Sequence, residues 1–221
     1  MSNTDSFIDE VTEEVRRDRL FALMRKYGWI AVVAVLALVG GAGWNEYTKA
    51  RDAAQAEAAG DAITAALGQS EAADRASALA EAEAAGTLAG ETRVVAAFLK
   101  AGELYDAGQT DAALAALAPL ASDAVLDPVY RDLAILKTAM IGAGTLAPEQ
   151  RIEMLAGIAA VGAPYQLLAE EQIAAAQIEL GEIDAAIEGL RALAADANAT
   201  SGLRRRAQQM IVALGGDPEA E

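Results

Sequence analysis

From Tyr27 to Trp44 the chain runs eighteen residues without a charge, Y-G-W-I-A-V-V-A-V-L-A-L-V-G-G-A-G-W. As a helix rising 1.5 Å per residue, this run would be roughly 27 Å long, about one hydrocarbon core. Tyr27 and Trp29 stand at one end and Trp44 and Tyr47 at the other, as expected of amphipathic rings at two headgroup levels. Arg16, Arg17, Arg19, Arg25 and Lys26 precede the run, whereas only Lys49 and Arg51 follow closely. The positive-inside rule then puts the N-terminus in the cytoplasm and residues 45–221 across the membrane. A cleaved signal peptide fits less well, because a long charged leader comes first and no A-x-A site closes the run. A core helix of a soluble protein would need an apolar partner on every side. The expectation is a cytoplasmic leader over 1–26 and a single transmembrane helix over 27–44, in contact with membrane lipid. Ala37, Gly40, Gly41 and Gly43 would let another helix approach closely, a spacing too common in membrane spans to identify one. In the leader, Phe7, Ile8, Val11 and Val15 recur at near-helical spacing, which fits either a short amphipathic helix or a solvated segment.

The rest of the chain offers little to catalysis. There is no Cys and no His. Thiolate nucleophiles, disulfides, sulfur-based metal sites, imidazole bases and histidine metal cages are therefore excluded. A net charge of −16 argues against nucleic acid, which needs a concentrated basic surface. Residues 45–221 carry 12 basic and 27 acidic side chains. Alanine supplies 56 of the 221 residues, a composition that favours helix.

These helices are punctuated by a period. Glycines at 108, 144 and 181 end helical stretches expected over 91–107, 127–143 and 164–180, with second helices over 110–121, 148–160 and 183–195. Glycine readily takes the left-handed conformation at a helix end, and Pro128, Pro148 and Pro164 suit first turns. Helical pairs recurring every 34–37 residues are the mark of a helical solenoid. Two units share more than spacing: G-Q-T-D-A-A with Leu114 and Leu117 matches G-E-I-D-A-A with Ile187 and Leu190. Ala113 and Ala186 are small enough for two helices to approach there, and Leu117 and Leu190 fill the next turn. This pattern resembles the tetratricopeptide repeat, although the consensus Trp and Leu-Gly pair are missing. The middle unit, with G-A-G-T-L-A-P-E-Q at its turn, is degenerate. Residues 45–67 continue the membrane helix up to Gly68 and pair with 71–85, making a membrane-proximal hairpin over 45–90. Three repeat-like hairpins over 91–199, a capping helix over 200–214 and a frayed tail over 215–221 complete an all-α chain.

A single span, an Ala-rich helix leaving the membrane and a short repeat domain ending A-D-A-N-A-T-S-G-L-R-R-R-A-Q-Q-M-I-V-A-L-G resemble one family over essentially the whole chain. It is the tetratricopeptide-like ancillary subunit of the bacterial SecYEG translocon, in its alphaproteobacterial form. The resemblance implies a periplasmic domain, association with SecYEG and with a membrane-anchored periplasmic chaperone of the prolyl-isomerase type, and no catalytic residues or cofactor. An envelope scaffold for cell division or wall synthesis shares the same architecture. An ATP-synthase-like stalk would need an unbroken coiled coil, which the glycines interrupt.

If the hairpins pack as in tetratricopeptide repeats, a concave face is expected from their first helices. It would carry Val95, Phe98, Gly102 and Tyr105, then Arg131, Ala134, Thr138 and Ile141, then Leu168, Glu171, Ala175 and Ile178. Phe98 and Tyr105 are the expected anchors for an apolar segment. Glu13-Glu14 and Glu170-Glu171 are neighbours about 100° apart on a helix, so neither makes an acid–base dyad. The Gly40–Gly43 stretch lacks the strand and Lys of a phosphate loop. Arg204–Arg206 reads as a solvated basic turn.

Overall fold

The computed structural model describes residues 3–217. Among them every regular element is helical: α1 (Asn3–Leu67), α2 (Ala72–Ala84), α3 (Glu91–Asp106), α4 (Thr110–Ser122), α5 (Pro128–Ile141), α6 (Pro148–Ala156), α7 (Gln166–Leu180), α8 (Ile183–Ala195) and α9 (Ser201–Ala213). The chain divides into two compact units, Met1–Glu57 and Ala58–Glu221.

The first unit is the body of α1. Every side chain from Val32 to Val39 is exposed, with Leu38 at 74% and Trp29 at 64%. A helix that is apolar all round and bare on all sides lacks the protein core that would cover it. It is long and apolar enough to cross a membrane. The Trp44 and Tyr47 rings lie 6.2 Å apart at the expected outer belt. The side chains of Phe7, Ile8, Val11 and Val15 in the expected leader lie outside the described ones.

The second unit opens with residues 58–67 of α1, which stop at Gly68 as expected. Leu79, Leu117, Leu155 and Leu190 sit at intervals of 38, 38 and 35 residues and are each at most 1% exposed. Around the last three, four further positions recur at the same intervals. They are Ala96/Ala134/Ala169, Ala101/Ala139/Ala174, Ala113/Arg151/Ala186 and Leu120/Ile158/Leu193, all buried. Five positions held in register across three hairpins make the repeat a property of packing as well as of turn spacing. Ala113 and Ala186, fully buried, are the small residues that let α3 meet α4 and α7 meet α8 closely.

The register corrects one expectation. Counted from the glycines, the middle hairpin falls two residues out of phase. α3 and α7 run almost to their left-handed glycines, Gly108 (φ 75) and Gly181 (φ 78). α5 stops earlier, at Ile141, and its left-handed glycine is Gly144 (φ 81), inside a longer turn. Leu146 closes that turn by folding over Gly142, where a Cβ would come within 2.5 Å of it. α6 ends at Ala156, four residues short of its expected end.

Odd-numbered helices form one layer of the second unit. Ala59 and Ala66 of α1 share a core cluster with Ala96 of α3. α3 touches α5, and α5 touches α7. α7 reaches α9 through Glu171, which accepts from Arg206 at 2.7 and 2.8 Å. The even helices α2, α4, α6 and α8 pack between successive odd ones, and α9 closes the series against α8.

Arginines tie the layers together. Arg75 of α2 donates to the carbonyls of Gln69 and Ser70 behind it and to Glu103 of α3 ahead of it. Arg151 of α6 does the same one pair of hairpins later, donating to Ala139 O in the last turn of α5 and, through Nη1, to both carboxylate oxygens of Glu179 on α7. Both arginines precede their glutamates by 28 residues. Twenty-eight residues beyond Ala113 and Ala186 stand Ile141 and Leu214 instead. Arg204 likewise takes the carbonyl of Ala194 in the last turn of α8 and those of Asp196 and Ala199 in the loop that follows. Carbonyls in a last turn lack helical partners, and a cation there also meets the negative end of the helix dipole.

The loops after α4 and α8 are matched too. Asp123 and Asp196 each accept from the backbone two residues on, and Asp127 and Thr200 then cap α5 and α9. Of the expected frayed tail only 215–217 are described, and Asp217 O there accepts from Arg191 at 2.8 Å.

Candidate docking surface

The odd layer presents a stripe set by the buried register. Ala101 must face α4, so the positions six and three before it and one and four after it turn toward another side of α3. They are Val95, Phe98, Gly102 and Tyr105. The same offsets from Ala174 give Leu168, Glu171, Ala175 and Ile178. From Ala139 they give Leu133, Leu136, Met140 and Ala143, two residues along from the stripe expected in that hairpin. The reason is the longer turn after α5, which makes Gly144 a misleading origin.

The structure sorts these residues by use. Val95 (45% exposed), Tyr105 (48%), Met140 (48%) and Leu168 (40%) are open. Phe98 is half-buried against the cluster of Val94, Ala97, Leu120 and Ala134. Ile178 is half-buried against the cluster of Ala174 and Ala186. Ala134 is core, and Arg131, Thr138 and Ile141 are half-buried. Glu171 is 7% exposed and committed to Arg206. Its carboxylate raises the Arg206 guanidinium further above its ordinary value, and the two hydrogen bonds engage that charge in a contact between α7 and α9. The Tyr165 phenol, at the start of α7, is pushed up by burial, with Asp132 and Tyr130 of α5 adding to the effect.

Leu168 belongs to the stripe and also to the wall of an open cleft of about 530 Å³. The cleft lies between the start of α7 and the start of α9, with Ala163, Pro164, Leu167 and Leu203 supplying further apolar wall. Four of its polar side chains are already engaged, Asp196 with Asn198 N and Arg206 with Glu171 as described above. Gln166 accepts from Gly162 N and donates to Glu170, and Thr200 caps α9. What remains for an occupant is mainly apolar surface, in the size range of small-ligand and side-chain pockets. The sequence carried no sign of this cleft, since its walls come from two loops about 35 residues apart. Met140 was missed through the phase error alone.

Searches for similar proteins found no matching family model, no matching curated protein and no matching solved structure.

Proposed function

We propose that the chain is a non-enzymatic, membrane-anchored interaction protein. Its tetratricopeptide-like hairpins would lie in the periplasm beside the SecYEG translocon. There they would dock an apolar segment of a membrane-anchored chaperone of the prolyl-isomerase type or of an emerging chain. The observation that carries this reading is the open apolar stripe of Val95, Tyr105, Met140 and Leu168 on successive odd helices, running into a cleft with apolar walls. Solvent-exposed apolar side chains aligned by a repeat form an extended docking surface. Tethering to a membrane strengthens a weak surface of this kind by raising its effective concentration at one place. The translocon assignment rests on the resemblance of the whole arrangement, from the charged leader to the terminal R-R-R helix.

The test is crosslinking from a photoreactive residue in place of Tyr105, in membranes, with the same residue at exposed Ala192 of α8 as the comparison. Capture of a translocon subunit or a membrane-anchored chaperone at Tyr105 and not at Ala192 is the expected result. Capture of division or wall-synthesis proteins instead would replace the translocon reading with the envelope scaffold. Equal capture at both positions would remove the stripe from consideration.

A further inference from the structure

The second hairpin departs from its neighbours in several ways that meet at one seam. α5 and α6 share far less contact than any other consecutive pair of the unit from α2 onward, whereas α6 packs on α7 as its counterparts do. The position that brings α3 to α4 and α7 to α8 is alanine in those hairpins and Arg151 here. A guanidinium cannot fit where two helices meet at alanine distance, so α5 and α6 stand apart around it. α6 is nine residues long, whereas α4 and α8 have 13 each. The Thr138 hydroxyl on α5 is buried without a partner. The linker from Gly142 to Ala147 contains two glycines.

What crosses the seam is limited. One cluster of five buried residues joins Leu136 and Ala139 of α5 to Leu155, Ile158 and Ala169 beyond it. α5 also touches α7. The polar tie across the seam is Arg151 of α6, which donates to Ala139 O of α5 and, on its own side of the seam, to Glu179 of α7. Its two ends differ in exposure: the Arg151 side chain is 1% exposed and that of Glu179 is 40% exposed. Water reaches the carboxylate, while the guanidinium it holds is buried and aimed at Ala139 O.

We propose that the seam between α5 and α6 is a hinge latched by the hydrogen bond from Arg151 to Ala139 O, with Glu179, on the same side of the seam as Arg151, positioning the guanidinium. Residues 58–141 move as one body and residues 148–217 as another, with 142–147 absorbing the change in backbone angles. Val95 and Tyr105 lie on one body, and Leu168 with its cleft lies on the other. The latch therefore sets the span of the stripe between the first and third hairpins. The hinge stands or falls independently of what docks there.

The chain has no cysteine, so pairs of spin labels can be introduced into the full-length protein in nanodiscs without background. Ala115 on α4 and Ala192 on α8 are exposed and lie across the seam, while Ala192 and Gln208 on α9 lie on one body. The expected distance distribution is broad or two-peaked for the first pair and narrow for the second. Glu179→Gln should widen the first distribution further and speed amide exchange over 142–158 by about tenfold, leaving 110–122 and 183–195 unchanged. Glu103→Gln, which removes the equivalent partner of Arg75, should widen neither distribution. Equal narrow widths for both pairs in the wild type would overturn the hinge, whatever the variant does. Exchange accelerated alike in all helices by Glu179→Gln would overturn the latch, because the pair would then be a general stabiliser.

Discussion

In α4 and α8 the residue four positions before the buried leucine is Ala113 or Ala186, and the helix meets its partner along most of its length. In α6 that residue is Arg151, and the helix leans on α7 instead of α5. The leucines of all three are equally buried, and so are the alanines of the preceding helices. A hairpin can thus keep its place in the series while giving up most of its own interface, provided the residue that forces the concession finds polar partners on the helices at either side. Arg151 finds them in the Ala139 carbonyl, through Nε, and the Glu179 carboxylate, through Nη1.

The comparison can be broken most severely by exporting the arginine. Ala186→Arg would bury a guanidinium between α7 and α8 with Leu214 at the receiving position. A loss of about 4 kcal/mol or more is expected, from an unpaired buried charge added to overpacking. Urea denaturation of the chain in detergent measures it, and a loss under about 1 kcal/mol would show that alanine is not what holds that hairpin shut. Next in size are the leucines. Leu190→Ala should cost about 3–5 kcal/mol and Leu155→Ala about 2–3, because a cavity beside the looser α5–α6 interface can partly collapse. Equal costs would mean the second hairpin is as tightly packed as the third. Caps give a smaller effect of either sign. Thr200→Ala removes the cap of α9 and should cost about 1 kcal/mol, while Ala147→Ser supplies α6 with one and should gain about 0.5–1 kcal/mol. Thermal melts read both, and a gain at Ala147 absent from the melt would show that the start of α6 does not limit its stability. The smallest change is Thr138→Val, which replaces an unpartnered buried hydroxyl by a methyl of the same shape and should be neutral or stabilising by up to about 1 kcal/mol. A clear loss there would reveal a partner for that hydroxyl.

Local signals in the sequence located most of the helices. Gly68, Gly108 and Gly181 end helices where a left-handed residue or a breaker was expected, and Asp127-Pro128 begins one with its side chain as the cap. The pair of G-x-x-D-A-A stretches identified Ala113 and Ala186 as contact points because a short motif carries that information within one turn of helix. The middle hairpin resisted the same reading. An arginine at the contact position looks like a surface residue to any hydrophobic pattern, and a longer turn displaces the glycine used as the origin. That displacement moved the stripe in this hairpin from Leu133, Leu136 and Met140 to Arg131, Ala134 and Thr138. The Arg75–Glu103 and Arg151–Glu179 pairs and the cleft beside Leu168 were illegible for a related reason. Each joins side chains on different elements, and nothing in a linear pattern announces which distant residues will face one another.

The alternation of arginine and alanine also governs how a chain of this kind can lengthen or shorten over evolutionary time. The receiving positions read Glu103, Ile141, Glu179 and Leu214 in turn, each matched to the residue 28 places before it. Deleting α3 and α4 alone would leave Arg75 facing the helix that bears Ile141. Deleting α5 and α6 alone would set the helix bearing Glu179 after an alanine. Deleting all four would restore a match, with Arg75 before Glu179. In such an array the pairing of neighbours is kept by adding or removing two hairpins together and is broken by one alone.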